Sequence, residues 1–169
     1  MIKDTYETSK SSEKASIERQ FFPYKTKQYC LQKDIRETLQ CHPEHGISLS
    51  KKDGSVVVIR NAHKQGSKQR NIYQDRYDPV KKAYRYIGKG LTGNQSLSGA
   101  NSLLKYAAYN KRKIHLFWQD YPNNYHQYLG EVKVIETIPS RQIGKDGLPR
   151  DVYEFLLRPI ENSIDENRT

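Results

Sequence analysis

Tyr73-Gln-Asp-Arg-Tyr-Asp78, Tyr84-Arg-Tyr-Ile-Gly88, Gly93-Asn-Gln-Ser-Leu97 and Asn101-Ser-Leu-Leu104 follow one another in the middle of the chain. The first stretch suits a turn, because Asp side chains bond readily to nearby backbone. Ala83 to Gly88 reads as a strand. Gly88, Gly90 and Gly93 then interrupt it, so the chain bends sharply or passes close to something. Ser98 can cap a helix running to about Asn110, with Leu103, Leu104, Ala107 and Ala108 turned inward.

Upstream, Met1 to Gln20 is polar and reads as a mobile tail. Leu31, Ile35 and Leu39 recur at i, i+4, which predicts a short amphipathic helix over 29–40, closed by Pro43 and Gly46. Asp53-Gly54 is a turn, Val56 to Ile59 a buried strand, and 61–70 a polar basic loop. Downstream, Ile114 to Trp118 is a strand. Tyr128 to Ile135 alternates Val132 and Val134 with Glu131 and Lys133. Gly144 to Pro149 is a turn, and Val152 to Arg158 a last strand with Tyr153, Phe155 and Leu157 on one face. Five or more strands and two short helices, without a βαβ repeat, predict an α+β fold built on a compact β-barrel. The domain is expected over 25–160, between polar tails at 1–24 and 161–169.

A chain of 169 residues fits one domain with a genuine core. No apolar run approaches the roughly 18 residues of a membrane span, and the N-terminus lacks a secretory stretch. A soluble, intracellular protein is expected, cytoplasmic in a bacterium or nuclear in a eukaryote. Cys30 and Cys41 are too few for a disulfide framework. Cys41, His42 and His45 invite a zinc reading, but no CxxC pair supports it and Cys30 falls on the predicted helix. Neither metal nor cofactor is expected.

The formal charge is +10, and it is uneven. Residues 51–89 hold eleven Lys/Arg against three acids, a net of +8. Such a field attracts polyanions, although a solvated, solubilising face would show the same excess. Thirteen tyrosines stand against four phenylalanines. Tyrosine offers a stacking face with a polar tip, suited to extruded bases and equally to half-buried strands.

The four central stretches resemble the SRA (YDG) domain. In that family a tyrosine-acidic turn precedes a "YTG" strand and a "DQ-x-L-T … N-x-A-L" helix start. The order continues in Ile114-His-Leu-Phe117, in Tyr125 to Val132, and in Gly147 with Val152 to Arg158. Upstream, Ile35-Arg-Glu and Gly46-Ile-Ser48 resemble the start of bacterial SRA domains joined to restriction nucleases. The likeness covers about 30–160. It implies a PUA-like β-barrel that reads 5-methylcytosine or 5-hydroxymethylcytosine in double-stranded DNA by base flipping, as the reader of a modification-dependent restriction or epigenetic system. A nuclease domain or subunit is then the expected partner. Three departures stand out: Asn94 replaces the family's acid, Ile87 replaces the threonine of "YTG", and the long finger loop shrinks to Lys89 through Gly93.

A flipped base needs two sandwiched faces and a read edge. The resemblance puts Tyr73 and Tyr86 at the faces. Asp75 would accept from the cytosine exocyclic amine. Backbone at Ile87, Gly88 and Gly90 would line the pocket. Lys64, Lys68, Arg70, Arg76, Lys81 and Lys89 flank it and would meet phosphates. Asn94 and Gln95 would contact the DNA backbone or fill the hole left by the base. Gln95 equally suits tying its own loop to the barrel.

Two enzymatic readings compete. Asn71-Ile-Tyr73 with Tyr86-Ile-Gly88 resembles the GIY-YIG nuclease signature. The helix that follows carries no arginine before Arg112, only Lys105, and no glutamate appears until Glu131. A group that stabilises charge on the phosphate is therefore missing. Glu131-Val-Lys133 mimics the E-x-K of a restriction nuclease, with only Asp120 as an upstream acid. An RNA-binding PUA-like module is the remaining alternative. A binding module without catalytic residues is the expectation.

Overall fold

Val56-Val57-Val58-Ile59 is β-branched throughout and buried on both faces, which is why it forms the centre of the fold. The computed structural model describes residues 22–63 and 74–161. In chain order the elements are β1 (Tyr29–Leu31), α1 (Gln32–Leu39), β2 (Ile47–Leu49), β3 (Val56–Arg60), β4 (Arg76–Asp78), β5 (Ala83–Ile87), α2 (Ala100–Lys105), β6 (Ile114–Trp118), β7 (Tyr125–Ile143) and β8 (Pro149–Pro159). The sheet runs β2-β3-β6-β7-β8-β5-β4, and β1 adds to β7 beside this path. Only β3 and β6 pair in parallel; the other pairings are antiparallel.

Alternation along β3 separates two cores. Val56 and Val58 join Leu116, Trp118, Tyr86, Phe155 and Leu157 on the concave side, closed by Leu104 and Ala107 from α2 and the turn after it. Val57 and Ile59 face outward to Ile35 and Leu39 of α1, with Phe117 and Tyr128. Burying a side chain such as Phe155 contributes about 1.5–3 kcal/mol.

The α+β class and the strand order hold, with several corrections. Among the described residues the strands form an open path with β2 and β4 at its ends, not a closed barrel. Helix 29–40 is helical only over 32–39. Tyr29 to Leu31, including Cys30, pairs with β7 instead. Gln40 ends α1 in the left-handed region at φ 53°. The second helix does not reach Asn110 and is not capped by Ser98. It spans Ala100–Lys105 behind Gly99, which receives no side-chain cap, and Ser98 Oγ lies 2.6 Å from Ser96 Oγ. Ala108 is exposed. The strand read at 128–135 continues to Ile143, and the last strand spans Pro149–Pro159. No helix among the described residues is long and apolar enough to cross a membrane.

Candidate nucleic-acid interface

The parallel register of β3 and β6 sets Arg60 opposite Trp118. The Arg60 guanidinium lies 4.7 Å from the Trp118 ring centroid, an attractive cation–π geometry. Arg60 donates to the carbonyls of Gln119 (2.6 Å) and Asp75 (3.3 Å). Its Nε stands 3.7 Å from Asp75 Oδ2, with the side chains 15% and 6% exposed. Asp75 Oδ1 accepts from the Ile87 amide at 2.7 Å. Burial pushes the Asp75 carboxyl up to about 7, against the Ile87 N–H and the Arg60 charge, which both hold it down. The Arg60 Nε is buried without a hydrogen-bond partner. Asp75 and Arg60 thus place an acceptor and a donor side by side.

An aromatic row leads away from this pair. Tyr84 lies 5.0 Å from Trp118, and Tyr77, opposite Tyr84 in the β4–β5 register, lies 4.8 Å from Tyr84. The row runs from buried Trp118 to Tyr77, which is 48% exposed.

Tyr86 sits within the concave core, 9% exposed. Its hydroxyl lies against Gly46, where an added Cβ would stand 2.8 Å from it. The ring therefore packs in the interior and projects little into solvent. Ile87 is buried and reaches Asp75 through its backbone. Gly88 follows in a crowded position: a Cβ there would come within 2.7 Å of Gln95 Oε1 and 3.1 Å of Asn101 Oδ1. Gly90 takes φ +129°, which favours glycine.

The loop after Gly88 is bound from within. Gln95 donates to the carbonyls of Gly88 and Gly90 (3.2 Å to the latter), and its Oε1 accepts from the Tyr153 amide at 2.9 Å. Asn94 Oδ1 accepts from the Asp151 amide at 2.8 Å. Asn101 holds both the N–H and the C=O of Lys89. Of the two roles open to Gln95, these bonds display the tie to its own loop.

The flanking cations divide. Arg76 reaches Glu154 at 3.9 Å and Lys81 reaches Glu136 at 3.8 Å. The exposed Lys81 pair is weak, whereas Glu154 is 14% exposed and also binds Arg85 at 3.2 Å. Lys89 has no carboxylate within 4.0 Å among the described residues. Tyr73, Lys64, Lys68 and Arg70 lie outside the described residues. The structure thus joins Asp75 to Ile87 and Arg60, sets Gly88 and Gly90 on the loop that Gln95 holds, and packs Tyr86 in the core beside Gly46. Arg60, Trp118 and Tyr84 are additions to the site. Tyr84 carried a signal, since it shares a strand face with Tyr86; Arg60 and Trp118 meet through a parallel pairing that nothing local announces. Among the described residues no three His, Cys, Asp or Glu side chains gather where they could hold a metal.

Known structures share this fold. The sulfur-binding and SRA domains of ScoMcrA, solved with phosphorothioated DNA, match with TM-score 0.65 at 17% identity over 83% of this chain and 41% of that one. The modification-dependent TagI restriction endonuclease matches with TM-score 0.61 at 17% identity, over 85% of this chain and 52% of that one. The SUVH5 SRA domain in complex with hemimethylated CG DNA matches with TM-score 0.57 at 20% identity, over 83% and 92%. This chain therefore spans about two fifths of the ScoMcrA structure and about half of TagI, and nearly all of the isolated SUVH5 domain. No curated protein sequence matches it. The ScoMcrA-like SRA domain model matches residues 26–169, the open PUA-like sheet agrees with it, and the chain belongs to the SRA domain family, in its ScoMcrA-like branch.

Proposed function

We propose that this chain is a DNA-reading module that takes an extruded, modified cytosine, 5-methylcytosine or 5-hydroxymethylcytosine, into the space at Asp75. The observation that carries the reading is the buried Asp75 carboxylate, fixed by the Ile87 amide and set beside the Arg60 donor. A carboxylate is the group suited to the cytosine exocyclic amine. Tyr86 forms one wall, and Tyr73 is the second stacking face. Lys64, Lys68, Arg70, Arg76 and Lys89 meet phosphates, and Lys81 exchanges its exposed Glu136 partner for one. Catalysis, where it occurs, belongs to a nuclease domain or partner, as the restriction enzymes that share the fold suggest. Residues 25–160 form the reading unit.

The test is affinity at matched salt for one duplex sequence carrying cytosine, 5-methylcytosine, 5-hydroxymethylcytosine or a phosphorothioate linkage. The phosphorothioate arm is included because the ScoMcrA structure holds such DNA. Tighter binding to a modified cytosine, eroded by Asp75→Ala, supports the reading; equal binding to all cytosine forms rejects it. Replacing Lys64, Lys68 and Arg70 by alanine should weaken every duplex and lower the salt slope by roughly 0.9 per lost phosphate contact. Incubation with Mg²⁺ or Mn²⁺ should leave the DNA uncut; cleavage abolished by Tyr86→Phe would favour the GIY-YIG reading instead.

A further inference from the structure

The β7–β8 ribbon outruns the sheet that supports it. β6 leaves β7 at Val132 and β5 leaves β8 at Glu154, yet β7 and β8 stay paired out to Ile143 and Pro149. The shortened loop takes the place of a neighbouring strand along β8. Gly88 N donates to Tyr153 O and Gln95 N to Asp151 O, each at 2.8 Å. The ribbon's turn closes on the same loop through Lys145 N to Leu91 O, also 2.8 Å. Arg150, 1% exposed, donates from beneath to Gly90 O. Loop and ribbon are thereby bonded into one prong.

The tip of this prong is apolar. Ile143 is 57% and Leu148 63% exposed, and Leu91 is half-buried. Lys145 sits at the same tip and Lys89 at the root. Arg141 pairs only loosely with Asp151, at 3.8 Å between exposed side chains. The charges at the tip are mixed, Lys145 beside Asp146 and Arg141 beside Asp151, with Lys89 in excess at the root, and the exposed apolar pair fits the stacked interior of a duplex. The root is also the wall of the proposed base site: Ile87 holds Asp75, Gly88 begins the loop, and Leu91 lies three residues on, at most ~11 Å of chain.

We propose that Leu148 and Ile143 form a wedge that enters the base stack of duplex DNA at the step from which the base read at Asp75 has been withdrawn. This rests on the base-flipping reading above. Apolar wedges part base steps in other DNA-binding proteins. A wedge bonded in advance to its own scaffold loses little freedom on insertion.

The test compares the wild-type chain with the double variant Leu148→Ala/Ile143→Ala. The probes are a duplex and a single strand carrying the same modified cytosine, each with 2-aminopurine beside it to report unstacking. The double variant should bind the duplex about ten-fold more weakly and the single strand within two-fold of wild type, and lose the 2-aminopurine brightening on the duplex. Leu148→Phe, which keeps an apolar tip, should retain both affinity and brightening. A thermal melt confirms that the variants fold. Equal losses on duplex and single strand, or a double variant that binds and brightens like wild type, overturn the wedge while leaving the base-reading proposal standing. A wild-type chain that neither prefers the modified duplex nor brightens the probe removes both.

Discussion

Replacing Asp75 by asparagine removes a charge from a site that resists one. The carboxyl is pushed from 3.8 to about 7 by burial, and its side chain is 6% exposed, so solvent screens it little. At about 1.4 kcal/mol per pKa unit, the rise corresponds to roughly 4 kcal/mol. The sign follows from proton binding. Between about pH 4 and 7 the folded state holds the Asp75 proton and the unfolded chain does not, so rising pH favours unfolding. Asparagine keeps an oxygen for the Ile87 amide and does not titrate. The stability of wild type minus that of Asp75→Asn should therefore fall by up to roughly 4 kcal/mol between pH 4 and pH 8, at most ~1.4 kcal/mol per unit. Urea unfolding of both proteins at half-unit steps gives this difference, and titrations common to both cancel. A difference that stays level across the range would refute a buried, high-pKa carboxyl and the reading edge built on it.

Gly88→Ala should destabilise the fold by about 1–2 kcal/mol, because its methyl would displace Gln95 Oε1 or Asn101 Oδ1, each already bonded to a backbone amide. An unchanged urea midpoint would show that the loop gives way freely. Phe155→Ala should cost about 3–5 kcal/mol by opening the concave core, read in the same denaturation. On the acid side, burial lowers His115 and His126 to about 4. Their contribution is complete above pH 6.5 and is lost as pH falls toward 4, where the unfolded chain binds protons first. His126→Gln should make that acid limb shallower; an identical limb counts against its buried neutral ring.

The buried run Val56–Ile59 and the inward face of Tyr153, Phe155 and Leu157 were legible because their patterns are set by local periodicity. The three-residue strands β1, β2 and β4 were not, since such short segments become strands only through their partners. Leu31, Ile35 and Leu39 keep helical spacing, and that spacing hid β1 inside a longer helix. Beyond Val134 the β7 sequence lost its alternation because the ribbon there has no neighbour on its outer edge, and mixed exposure follows. At the site, Asp75 and the glycines came from the resemblance, whereas Arg60 became visible only in its register with Trp118.

The loop that opens at Gly88 takes its bonds from Arg150, Asp151 and Tyr153, nearly sixty positions later in the chain. During synthesis this loop therefore stays unassembled until the last strand has been made. Contacts so distant along the chain close slowly, because the intervening loop must first be ordered. A chain stopped before Pro149 would hold the valine strand β3 and its parallel neighbour but no braced loop. Premature termination would in this way leave both the loop unbraced and the core open, because Phe155 and Leu157 come from the same last strand.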